Sequence, residues 1–306
     1  MTSKSYAQDF ETFTANGGGR PDWLMPIRRE AIDRFQTIGF PDRKNEDWKF
    51  TNVGPITQKP FGRLPAPAAL PSMAAPEEFL IGESWPRLVF VNGRYAEGLS
   101  SKAGMPAGMT VETLADAWEA APDFVTRHLT KAASVEGSGF TALNTAFMAD
   151  GLFLHVAPNT KAEQPIHLLY VTDASVGPGI SYPRNLIVLE QHAQAAVVES
   201  YVSLNDGEYF TNTVTEVSIE AGARLDHYKI QRESEQAYHV GTLEARQERD
   251  SHLESLSFAF GASMSRSNIY TVLDGEGSHA TMNGLYVVHG EQHVDHQDGR
   301  DEVLPQ

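Results

Sequence analysis

Four stretches in the second half of the chain share one plan. IVLEQHAQAAVVESYV, VSIEAGARLDHYKI, ARQERDSHLESLSF and TVLDGEGSHATMNGLYV each combine an apolar strand-like run, an acid, two to four polar or turn-prone residues, and a second strand. The acids are Glu190, Glu220, Glu248 and Asp274, at successive offsets of 30, 28 and 26 residues. A period near 28 with two or three short strands per unit suits one coil of a parallel β-helix, because a coil buries its inner face only by stacking on the next. Alternation of apolar and polar residues alone fits an antiparallel sandwich as well. The repeat length tips the reading to a mainly β chain, with a parallel β-helix over residues 136–296 and an irregular tail over 297–306.

The first 135 residues read differently, as a helical and irregular region. Asp22 is placed to cap a helix through WLMPIRREAIDRFQTIGF, with Trp23, Ile27, Phe35 and Ile38 near one face, until Gly39 and Pro41 stop it. Residues 60–76 carry five prolines among Ala and Leu, the composition of an extended linker. LVFVNGRYAEGL predicts a β-hairpin, because Asn92-Gly93 is the favoured two-residue turn. A second helix is expected from Leu114 to Ala133.

Charge and residue usage exclude several classes of function. Against 24 Lys and Arg stand 40 Asp and Glu, a formal charge of -16 that repels nucleic acid and anionic lipid alike. No apolar run reaches the roughly 18 residues of a membrane helix, and the polar start MTSKSYAQDF lacks the apolar core of a secretory signal. The expectation is a cytoplasmic chain with neither nucleic-acid nor membrane partners. With no cysteine, a metal held by this chain alone must sit on His, Asp, Glu or backbone oxygen.

GEGSHATMNGLYVVHGEQHVDH, residues 275–296, is the densest cluster of such groups. Were 289–295 one extended strand, His289, His293 and Asp295 would share a face and make a ligand set for zinc or ferrous iron, with His296 beside them. Gly290-Glu291 reads as a turn, which would break that face and put the histidines on two neighbouring strands, with structural or interface roles. His279 is assigned to solvent. In EDWK, Trp48 and Phe50 are expected to pack as an anchor while Glu46 and Lys49 pair at the surface. RQERD, 246–250, reads as a solvated corner. The GGG at 17–19 follows no strand, no Walker-type lysine occurs, and neither a nucleophile elbow nor a zincin helix is present, so ATP hydrolysis by this chain is not expected. No catalytic, cofactor-binding or metal residue is assigned. Paired acids on stacked coils, Glu190 and Glu220, are where a β-helical carbohydrate-active enzyme would carry its chemistry, although their position at turns speaks against it.

FTALNTAFMADGLFLHVAPNTKAEQPIHLLYVTD (140–173), the closing GEGSHATMNGLYVVHGEQHVDH and the early RKNEDWKFTNV (43–53) together resemble the SufB/SufD family of iron-sulfur cluster assembly proteins, in particular its SufD branch. The resemblance covers about residues 23–296. It implies an N-terminal helical region, a right-handed parallel β-helix and a C-terminal helical region. It also implies a non-enzymatic scaffold that partners SufB-like and SufC-like proteins, the latter an ATPase, in a cluster-assembling complex. The absence of cysteine agrees with an accessory role. In the family the β-helix continues for several coils past the QHVDH-like segment, before the helical region that docks the ATPase. Here ten residues follow His296, and QDGRDEVLPQ lacks strand alternation. The family's functionally important histidine falls in the part without a counterpart, so none of the eleven histidines inherits its role. The expectation is a shortened or frame-shifted member, or one whose last coil depends on another chain for its cap.

Overall fold

Each coil of the second half turns at a corner built from the acid-bearing repeat. In the computed structural model, which describes residues 3–18, 20–59, 61–65 and 77–302, His192, Gly222, Asp250 and Gly277 all take positive φ, between 57° and 76°. Glycine reaches that region freely, and His and Asp are among the side chains that tolerate it best. The residue after each is small, and Ala193, Ala223 and Ser251 are fully buried inside the bend. The acid before each corner reaches back one coil. Glu220 Oε2 accepts from the Gln191 N–H at 3.1 Å, and Glu248 Oε2 from the Ala221 N–H at 3.1 Å. Asp274 Oδ2 instead takes Arg246 Nε at 2.9 Å.

These corners join two stacked sheets. The helices are α1 Ser3–Phe13, α2 Met25–Ile38, α3 Gly54–Thr57, α4 Leu114–Ala120, α5 Pro122–His128 and α6 Gly139–Phe147. The early strands are β1 Arg87–Val91, β2 Arg94–Tyr95, β3 Met109–Thr113, β4 Leu152–Val156, β5 Ile166–Thr172, β6 Ile180–Ser181 and β7 Arg184–Leu189. The longer ones follow: β8 Gln194–Ser203, β9 Phe210–Ile219, β10 Arg224–Arg232, β11 Tyr238–Gln247, β12 His252–Ala259, β13 Met264–Leu273, β14 His279–Tyr286 and β15 His293–Glu302. One sheet runs β14-β12-β10-β8-β5-β1-β2 and the other β15-β13-β11-β9-β7-β4-β3, with β6 beside β9. From β5 onward in the first sheet, and from β4 onward in the second, every neighbour is parallel. Arg224 faces Gln194 and His252, and His252 faces His279. The chain is therefore a β-solenoid of about five turns, residues 153–301, behind an N-terminal helical region. Parallel pairing disposes of the antiparallel sandwich.

The interior is apolar at the corner end, where Leu154, Ile187, Leu189, Val217, Leu225 and Leu253 pack together. A second apolar cluster lies outside the β9–β11–β13 sheet. There Phe35 of α2 and Phe140 and Phe147 of α6 meet Phe210, Tyr238 and Met264. Each such buried side chain contributes roughly 1.5–3 kcal/mol. Ser138 Oγ caps α6 by accepting the Thr141 N–H at 3.2 Å, and Asn144 Nδ2 donates to the Pro183 and Asn212 carbonyls at 2.8 Å each.

The hairpin forms at Asn92-Gly93, with φ of 50° and 72°, and α2 ends at Gly39. Several boundaries differ from expectation. The helix sought over 114–133 is two, because Pro122 offers no N–H and starts α5 after a break at Ala121. Residues 139–147, assigned to the β-helix, are helical. The tail assigned as irregular is strand to Glu302, since β15 pairs with β13 along ten residues despite its charge. Asp22 makes no side-chain cap and sits in a 3-10 turn before α2. Most of the proline-rich 60–76 lies outside the described residues. Its described part is packed, with Phe61 and Leu64 buried and Leu64 N–H bonded to the Ile180 carbonyl. No helix among the described residues is long and apolar enough to cross a membrane.

Candidate functional site

Away from the corner, the inside of the solenoid turns polar. In β10, Leu225, His227, Lys229 and Gln231 alternate inward, so three polar side chains occupy positions whose parity demands burial. Register stacks Glu199, Lys229, Ser257 and Gly284 in one column. Opposite stand Thr213, Gly241, Ser267 and His296. Glu199 accepts from Thr215 Oγ1 at 2.7 Å, Tyr201 OH at 3.0 Å and Asn185 Nδ2 at 3.1 Å. His227 Nε2 faces it at 3.4 Å, an ion-pair distance. Burial pushes the Glu199 carboxyl up, but His227, the Thr215 hydroxyl and the Lys229 charge overcome this and hold it at about 2. Burial brings the Lys229 ammonium down to about 8, against the pull of Glu199 and Glu233. Lys229 Nζ donates to Ser267 Oγ at 3.1 Å. Beside it His239 Nδ1 meets Glu233 Oε2 at 2.7 Å. The gap among these groups is about 20 Å³, near the size of one water and too small for a substrate. Glu199 faces His227 and Glu233 meets His239, while Lys229 rests on the Ser267 hydroxyl, and these contacts link the inner rungs.

The column ends at the last rung, β14 with β15. The His296 ring crosses the interior and occupies the space that a Cβ at position 284 would need, which is why glycine stands there. His296 Nε2 is buried with no hydrogen-bond partner among the described residues. Burial, then the Lys229 charge, lowers its affinity for a proton. The other members of the sequence cluster point elsewhere. Asp295 lies on the outer side, held by Arg266 Nη1 and Thr51 Oγ1. His293 Nε2 is 3.3 Å from Thr51 Oγ1. His289 sits before the Gly290-Glu291 turn, in the corner and not on a strand, with Nδ1 at 2.8 Å from Gln292 Oε1 and Nε2 at 3.0 Å from Glu235. The four side chains thus serve three places. His279 is exposed and opens β14, facing His252 on the rung above.

The early segment closes over this rung. Trp48 stacks on Phe140 at 5.1 Å, and the Arg266 guanidinium lies 4.1 Å from its ring centre. Glu46 and Lys49 pair as expected. Phe50 does not pack: it is 77% exposed. In 246–250, Gln247 is buried, with solvated residues around it. Glu190 meets His155 Nε2 at 3.1 Å, and Glu220 is tied to the Gln191 N–H, so both acids make contacts at the corners.

The joint between the helical region and the solenoid escaped sequence reasoning. Glu216 accepts from the N–H groups of Thr130, Ala132 and Ala133 at 2.8, 3.2 and 3.1 Å, and from Arg184 Nε and Nη2 at 3.1 and 2.6 Å. Both side chains are sealed from solvent. The available signal was a charge at a buried position of an otherwise apolar or hydroxyl-bearing strand, FTNTVTEVSI.

Among the described residues β14 pairs only with β12 and β15 only with β13. Leu285, Tyr286, Val287 and Val288 are 52%, 55%, 61% and 42% exposed at the corner between them. No Asp, Glu, Lys or Arg occurs from His279 to Gly290.

Comparison with known proteins gives two family matches. Residues 3–168 match the SufBD protein N-terminal region, and residues 170–300 match the SufBD core domain of the SUF system for FeS cluster assembly. The chain is 28% identical over 279 residues to the iron-sulfur cluster assembly SufBD family protein slr0076 of Synechocystis, covering 88% of this chain and 61% of that one. It is 26% identical over 286 residues to the iron-sulfur cluster assembly protein SufD of Escherichia coli, covering 93% and 63%. To the SufB of Bacillus subtilis it is 22% identical over 296 residues, covering 90% and 61%. The chain thus spans about three fifths of the length of these relatives.

Proposed function

Because the chain belongs to the SufBD family of iron-sulfur cluster assembly proteins, we propose that it acts as a non-enzymatic scaffold subunit, pairing with SufB-like and SufC-like proteins in the cytoplasm. The observation that carries this reading is the match of residues 3–168 and 170–300 to the two SufBD regions, on a solenoid whose strand register accounts for both. The buried axis supports a passive role, because its free space is about that of one water.

Co-expression of a tagged form of this chain with SufB-like and SufC-like proteins of one organism tests the proposal. The expected outcome is a stable complex surviving gel filtration, with no turnover by this chain alone. Recovery of the chain without either protein would remove the scaffold reading and leave family and fold untouched.

A further inference from the structure

One column on the inner side of the first sheet is aromatic across four strands. Register places Tyr95 of β2 beside Phe90 of β1, Phe90 beside Tyr170 of β5, and Tyr170 beside Tyr201 of β8. Their ring centres follow one another at 5.7, 5.1 and 5.1 Å, and the last two contacts are stacked, at 26° and 13°. Over three strand spacings, about 14 Å, the rings lead from a half-buried tyrosine in the hairpin to one sealed in the axis.

Stacking accounts for the rings, since aromatic pairs on neighbouring strands stabilise a sheet. It does not account for the hydroxyls, because Phe90 fills its place in the column without one. Tyr170 OH donates to Asn185 Oδ1 at 2.6 Å, and Asn185 Nδ2 donates to Glu199 Oε1 at 3.1 Å. Tyr201 OH donates directly to Glu199 Oε2 at 3.0 Å. Both phenols are therefore linked to one carboxylate. Burial, then the Glu199 charge, raises both far above the usual phenol range, so each keeps its proton for as long as it keeps its electrons. A phenol that has lost an electron is instead a strong acid, and at Tyr201 the acceptor already sits across a hydrogen bond. The chain has no cysteine, the side chain that would give up an electron more readily.

We infer that this column is a one-electron relay, which takes an oxidising equivalent from a reactive oxygen radical or another outer-sphere one-electron oxidant at the β1–β2 hairpin and stores it on Tyr201. The electron leaves by way of Tyr170, Phe90 and Tyr95 and reduces the oxidant. The O–H bond of Tyr201 breaks, and the proton forms a new O–H bond on Glu199, leaving a neutral tyrosyl radical beside a neutral carboxylic acid. Re-reduction returns both electron and proton. Only electrons travel along the column, so the relay works in a sealed interior and needs no partner chain.

Flash oxidation of the full chain by photogenerated tris(bipyridine)ruthenium(III), followed by electron paramagnetic resonance, tests it. A tyrosyl radical that outlives those of the surface tyrosines is expected. Tyr201→Phe, which keeps the ring stack, should lose this slow signal. Tyr170→Phe should preserve its lifetime and lower its yield. Glu199→Gln should shorten its lifetime about tenfold or more, because an amide takes no proton. Tyr228→Phe, on the outer face of the same sheet, should behave like the parent. Circular dichroism checks that each variant is folded. Absence of a slow radical in the parent, its survival in Tyr201→Phe, an unchanged lifetime in Glu199→Gln, or an equal loss in Tyr228→Phe would overturn the inference.

Discussion

Glu216 concentrates more of the architecture than any other single side chain. Five donors converge on it, and two of them belong to a guanidinium with no exposure of its own. Replacing it by Ala leaves Arg184 buried without a counter-charge and frees three backbone N–H groups. A loss of about 3–5 kcal/mol is expected in urea denaturation. Its neighbour one rung on, Glu244, acts in the opposite sense. A folded-state value near 7, above the usual carboxylate range, means that the native state holds its proton more tightly than the unfolded chain. The associated stability is complete below the unfolded value and is lost as pH rises through about 7. Glu244→Gln should therefore stabilise the protein by roughly 1–3 kcal/mol near pH 8.5 and by little near pH 5, a difference that melting curves at the two pH values would expose. Neither residue was legible beforehand. Sequence shows the charge of Glu216 and Glu244 but not the loop whose N–H groups come from more than 80 residues earlier.

At the scale of elements, the corners were the readable part. An acid, a residue suited to positive φ and a small residue recur in order, and together they define where one coil ends. The rungs themselves announced less. β15 runs past the expected end at 296 although QDGRDE has no apolar residue, and strand formation there rests on pairing with β13. For α6, a nine-residue helix inside a β-rich stretch, nearly every residue is buried, so no clean amphipathic stripe marks it. The segment 43–53 was correctly read as an anchor through Trp48, yet its target, Arg266 and Asp295 on the final coils, depends on long-range stacking. Trp48→Ala removes the indole between Phe140 and Arg266. Amide exchange should then quicken across residues 43–57 and in β15 while the inner rungs stay protected, and uniform protection would contradict the anchoring role.

On the scale of the whole molecule, the solenoid follows the logic of a stack in which each coil contacts only its neighbours. Among the described residues, interior rungs are covered on both sides, and β14 with β15 on one. The family resemblance carried in three sequence stretches reached the same architecture as the register of the strands. What it could not supply was the polar axis from Glu199 to His296, which becomes visible once successive rungs are laid on one another.

The reach of each corner carboxylate toward the coil before it gives the stack a polarity. A coil leaves translation with its bend untied, and the clasp arrives only with the next 26 to 30 residues. Direction is thus written into the fold itself: the bend at Gln191 is fastened by Glu220 and that at Ala221 by Glu248, each from the coil downstream.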